Sequence, residues 1–193
     1  MKSGKSMENK KAIFYREWLP LPKEQFRILL LLARFGSFSG NLSDLCRYFS
    51  LDPQYKNREG VRNAIEALTE TEFIESSKKG RTYNLKLIPK EEEINLPCSW
   101  IEAFLSKPFS VSVSKEVMIK VLLWLTDRGI SLFTNEIIAA ELKVSVSTIC
   151  VAKRVLKEDF EAIITKKISR KNSMGEFWTE GQIANVVAWL NDN

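Results

Sequence analysis

One order of signals runs twice along the chain, and no other feature narrows its fold as much. Each run has three helical segments followed by two short alternating segments about a turn. In the first run Pro22 opens a helix to about Phe35, with Phe26, Leu29, Leu30 and Ala33 on one face. Gly36 and Gly40 interrupt it. Asn41 is placed to cap a short helix to about Phe49, with Asp44 at its third position, where a carboxylate suits the positive end of the helix dipole. After a loop holding Asp52 and Pro53, a third helix is expected from about Asn57 to Thr69, turning Val61, Ile65 and Leu68 inward. Residues 73–76 and 82–88 alternate about a turn at 77–80, which predicts a β-hairpin.

The second run starts with an introductory helix over 96–106 that would bury Trp100, Phe104 and Leu105. Ser114 caps a long helix to Arg128, with Val117, Val121, Leu122 and Leu125 as its core stripe and Gly129 as its stop. Thr134 caps a second helix to Leu142. Lys143, Val144 and Ser145 connect it to a third, from Val146 to about Lys157. Residues 163–168 and 176–179 read as strands about 169–175. A last helix over 182–190 would carry Ile183, Val186, Val187 and Leu190. The expected fold class is mainly α with small β-hairpins, an α+β architecture in two tandem domains. Expected bounds are a basic tail at 1–12, a first domain at 13–90, a linker at 91–96 and a second domain at 97–193. The linker reading rests on an acidic run, Glu91 to Glu93, bracketed by Pro89 and Pro97.

Composition removes several chemistries. The chain has 193 residues and no histidine, so the commonest general base and metal ligand are missing. Its three cysteines, Cys46, Cys98 and Cys150, form no C-x-x-C pair, which argues against a zinc cluster and against a disulfide scaffold. There is no Gly-Lys-Ser phosphate loop and no G-x-G-x-x-G. Three adjacent glutamates do not readily converge on one site. Neither catalysis nor a cofactor or metal is therefore expected. No apolar stretch approaches the length of a membrane span, and no apolar segment follows the lysine-rich start as in a signal peptide. A cytoplasmic protein with free thiols is the expectation. Net charge is +5, which permits a polyanionic partner without demanding one, and most of the excess precedes residue 96.

Thr134 to Leu156, TNEIIAAELKVSVSTICVAKRVL, resembles the bacterial helix-turn-helix family. The resemblance lies in a capped helix ending Ala139-Ala140-Glu141-Leu142, then Val144-Ser145 at the turn, then Ser147-Thr148-Ile149 opening the next helix. Leu42 to Phe49 is similar to the supporting helix of that motif, and Asn57 to Leu68 to its recognition helix, across a longer connection. Three helices and then a hairpin, twice, is the order of the winged-helix superfamily, and the likeness covers most of the chain from Ile13 to Leu190. The resemblance implies two tandem winged-helix domains that bind double-stranded DNA. It is similar in layout to plasmid replication initiators and, more broadly, to bacterial or phage regulators of transcription. Tandem winged helices also serve as protein-docking subunits, which is the alternative reading.

On that resemblance the DNA-facing residues can be named. Arg58, Arg62 and Asn63 on the first recognition helix would reach base edges, with Arg47 and Lys56 on phosphates. Lys78, Lys79 and Arg81 would form the first wing. Ser147 and Thr148 would open the second recognition helix, and Lys153 and Arg154 follow on it. Lys166, Lys167, Arg170 and Lys171 would form the second wing. Val146, Cys150 and Val151 suggest instead an apolar patch for a protein partner, and Cys150 reads as a small packing residue. A homodimer, or a protein partner held through the second domain, is left open by the sequence.

Overall fold

The computed structural model describes residues 11–106, 113–128, 134–160, 162–171 and 177–187. It has an α+β architecture with small antiparallel sheets. Two compact units divide the chain, Met1–Ala103 and Phe104–Asn193. The division falls inside a helix rather than at the expected linker. Among the described residues no helix is long and apolar enough to cross a membrane.

The first unit opens with strand β1, Lys11–Tyr15, and a 3-10 turn, Arg16–Trp18. The expected tail therefore ends in a strand at Lys11 and Ala12; residues 1–10 lie outside the described part. β1 pairs antiparallel with β5, Glu93–Pro97, from Lys11 against Pro97 to Tyr15 against Glu93. Most of the expected linker at 91–96 is thus a strand. Its signal is period two: Ile94 and Leu96 are buried while Glu93 and Asn95 are exposed. The acidic run and its prolines mask that alternation, and Pro97 sits at the strand's end, where a missing N–H is tolerated.

Helix α1, Lys23–Phe35, follows Pro22 as expected. It ends at Gly36, whose φ of 82° suits glycine and whose N–H returns to the Leu32 carbonyl at 2.7 Å. From Ile28 to Leu32 every residue is buried, whereas Ala33 is only half-buried. A single apolar stripe does not suffice because α1 is enclosed, meeting β1 as well as β2, β4 and the third helix of the unit. Helix α2, Leu42–Tyr48, starts with the expected cap at Asn41, and Asp44 completes it as a capping box. Asn41 Oδ1 accepts from the Ser43 and Asp44 amides at 2.8 and 3.1 Å, and Asp44 Oδ2 accepts from the Asn41 amide at 2.9 Å. Such a cap is worth about 1 kcal/mol. Helix α3, Tyr55–Glu70, buries Val61, Ala64, Ile65 and Leu68.

Strands β3, Ile74–Lys79, and β4, Thr82–Leu87, form the hairpin. Its turn is shorter than expected: Lys79 pairs with Thr82, leaving only Gly80 and Arg81 in the loop. Gly80 has φ of 62°, the positive value that a two-residue turn with glycine first demands. Lys78 and Lys79 consequently belong to the strand. A further strand, β2, Ser37–Gly40, pairs with β4 and completes a sheet of order β2-β4-β3. Phe14, Phe26, Ile28, Leu29, Trp18 and Leu68 are among the fully buried side chains of this unit.

Helix α4, Cys98–Ser106, carries the division between the units. It buries Ile101 and Phe104, whereas Trp100 and Leu105, expected inside, are half-buried. In the second unit α5, Lys115–Arg128, is buried continuously from Met118 to Leu125, and Val117, expected inside, is half-buried. Helices α6, Asn135–Leu142, and α7, Val146–Glu158, match their expected spans. Lys143 takes the left-handed conformation, φ 53°, that turns the chain between them. Glu141 fastens α6 to α5: it accepts from Trp124 Nε1 at 2.6 Å and from Arg128 Nη2 at 3.2 Å.

Strand β6, Ile163–Lys171, pairs antiparallel with β7, Phe177–Val187. The expected final helix is therefore overturned over 182–187, and Leu190 lies outside the described residues. Ile183, Val186 and Val187 fit a helical face by spacing, but their branching at Cβ favours strand. In register, Val186 pairs with Ile164 and Val187 with Ile163.

Candidate functional site

Five of the eight expected contact residues of the first unit, Arg47, Arg58, Arg62, Lys78 and Arg81, line one groove. Its wall on one side is α3, through Tyr55, Arg58 and Arg62. The opposite wall is the hairpin, through Lys78, Gly80, Arg81 and Tyr83. The start of α2 contributes Asn41, Leu42, Ser43 and Arg47. The groove is open and has a volume of about 640 Å³. Five of its lining side chains are cations and none is a carboxylate.

Local periodicity explains which residues arrive there. Tyr55, Arg58 and Arg62 recur at intervals of three and four, so they share one face of α3. Lys56 and Asn63 lie off that face and do not line the groove. Successive strand residues alternate sides, so Lys78 enters the groove and Lys79, also exposed, does not. Tyr55 precedes the start at Asn57 that the sequence predicts for this helix. The helix begins earlier without a capping side chain: Gln54 is at the cap and makes no side-chain bond to the helix. Asn57 Nδ2 instead bonds back to the Asp52 carbonyl at 2.8 Å.

The electrostatics of this groove are unbalanced. Among the described residues no ion pair involves Arg58, Arg62, Lys78 or Arg81; Arg47 alone has one, with Asp44 at 3.2 Å. Arg58 and Arg62 stand one turn apart, and like charges at that spacing destabilise a helix. Lys78 Nζ rests 5.3 Å over the Tyr83 ring, an interaction that leaves its charge uncompensated. An anion entering the groove would relieve this repulsion.

No protein-family model matches the chain, and none of the curated proteins compared with it is significantly similar.

In the second unit the expected residues do not gather in the same way. Ser147 and Thr148 turn their hydroxyls to Ser145, at 2.9 and 2.7 Å, and Ser145 caps α7 through the Thr148 amide at 3.2 Å. Lys153 reaches across to Asn135 Oδ1 at 2.8 Å, and burial holds its ammonium below the usual lysine range. Its charge is thus committed to α6, while Arg154 is exposed. Cys150 does not pack inside; it is exposed, with Asn135 Nδ2 donating to its sulfur at 3.1 Å. Lys166, Lys167, Arg170 and Lys171 occupy β6, against Ala184, Ile183, Thr179 and Phe177, with register shifts around Arg170. Residues 172–176 of the expected second wing lie outside the described part.

Proposed function

We propose that the chain is a DNA-binding protein whose first unit is a winged helix. In this reading α2 and α3 are the helix-turn-helix pair, α3 the recognition helix and β3–β4 the wing. The observation that carries it is the carboxylate-free groove between α3 and the hairpin, lined by five cations. The element order α1-β2-α2-α3-β3-β4 and the sheet order β2-β4-β3 support it. Arg58 and Arg62 would meet base edges or the backbone beside them, and Arg47, Lys78 and Arg81 would hold phosphates. The second unit repeats helix pair and hairpin, with α7 as the second recognition helix and β6 supplying the basic wing. Two such units on one chain raise affinity through effective concentration when both engage. A regulator of transcription or a replication initiator, of a bacterium or a mobile element, fits this layout.

A second reading applies to the second unit. Ile137 and Val146 are 41% and 38% exposed, and Cys150, one turn after Val146 on α7, is exposed too. Those residues favour a protein partner for α6 and α7 over DNA. Selection of bound duplexes from a random pool at physiological salt separates the two. A site with two separated short elements is expected when both units read DNA, and one short element when only the first does. Recovery of the unselected pool, at the level of a no-protein control, would reject the DNA reading.

A further inference from the structure

We propose that the groove of the first unit holds one DNA strand with an unpaired base stacked on Tyr55, so that duplex carrying a single-stranded overhang is its preferred ligand. This rests on the DNA-binding reading of the groove and adds which part of the DNA enters it. Tyr55 is 66% exposed, an unusual state for an aromatic ring set among cations. Its hydroxyl is 3.4 Å from Glu59 Oε1, one turn along α3. That hydrogen bond ties only the hydroxyl, and the ring shares the groove lining with Arg58. A base needs such a face: stacking removes ring and base from water together, and flanking guanidinium groups take the phosphates.

The dimensions agree. A volume of about 640 Å³ is that of a small-ligand site. It has room for a nucleotide or two. The cations stand on both walls, Arg58 and Arg62 on α3, Lys78 and Arg81 on the hairpin. A strand passing between them is neutralised from two sides. A duplex lying across the rim would meet the same cations but leave the ring without a base face, because paired bases are already stacked on one another.

The test uses the full chain and three probes of one sequence: blunt duplex, duplex with an overhang of about six nucleotides, and the same overhang built of abasic sugars. Binding is followed by fluorescence anisotropy. The natural overhang is expected to bind about tenfold tighter than the blunt duplex, a gain of the size one stacked base supplies. The gain should vanish with the abasic overhang and in Tyr55→Ala, and survive in Tyr55→Phe. Tyr55 is at the surface, so the alanine variant should keep the wild-type melting temperature and circular dichroism. Equal affinity for blunt and natural overhang overturns the inference, as does a gain that persists with the abasic strand or in Tyr55→Ala. Binding of none of the three probes overturns the DNA reading itself.

Discussion

Replacing Arg58 and Arg62 together with glutamate should weaken DNA binding by the full chain roughly 10²- to 10³-fold, since each of these arginines is worth about 1–3 kcal/mol of binding. Both guanidinium groups line the same wall of the groove, and neither has an ion pair among the described residues. Nothing in the fold depends on their charge. They repel one another across one helical turn, as two glutamates would, so the exchange leaves the helix's own balance about the same. The melting temperature should accordingly hold while affinity falls. Lys86 is the matched control: it is exposed on β4 and absent from the groove lining, and its reversal should change affinity only slightly. Electrophoretic mobility shift or anisotropy at fixed salt measures both. The Lys86 reversal makes half the change in charge, so a logarithmic fall half as large would mean that net charge, not the groove, drives binding.

The largest expected effect on stability lies in the second unit, at Glu116 and Lys120. Both are buried on α5, at 7% and 5% exposure. Burial pulls the Lys120 pKa down from 10.5 to about 8, against an opposing pull from Glu116 one turn before it. Between pH 8 and 10.5 the folded lysine therefore binds fewer protons than the unfolded one. Stability from this group rises with pH across that window, and below it the full penalty of a buried cation applies. Exchanging the pair for apolar side chains of similar volume, Glu116→Leu with Lys120→Met, is expected to raise stability at pH 7 by about 1–4 kcal/mol. The gap between variant and wild type should narrow as pH climbs from 8 toward 10.5. Urea unfolding at several pH values reads this directly, and a gap that stays constant with pH would show that Lys120 is not the source.

Much of the first unit is legible in the sequence because its signals are local. The Asn41 cap, the stop at Gly36 and the inward spacing of Val61, Ile65 and Leu68 each depend on neighbours within one or two turns. What escapes is set by distant pairing. β2 is four residues, Ser-Phe-Ser-Gly, with little propensity of its own; it is a strand because β4 lies beside it. The β1–β5 ribbon joins residues about eighty positions apart, beyond the reach of any periodicity. At 182–187 a spacing that suits a helix loses to antiparallel pairing with β6, which the β-branched residues there favour. The groove is legible only in part for the same reasons. Arg58 and Arg62 follow from helical spacing, but Tyr55 depends on where α3 begins, and Lys78 rather than Lys79 on where the turn closes.

The dependence of affinity on salt measures the central claim, that this groove is built for a polyanion. The full chain should be titrated with random-sequence duplex and with overhang-bearing duplex from about 50 to 200 mM salt. The account predicts a log–log slope of about −4 or steeper, and a slope shallower by about 3 when Arg58, Arg62, Lys78 and Arg81 are all changed to glutamine. A slope near zero, or one that the four substitutions leave unchanged, would contradict it.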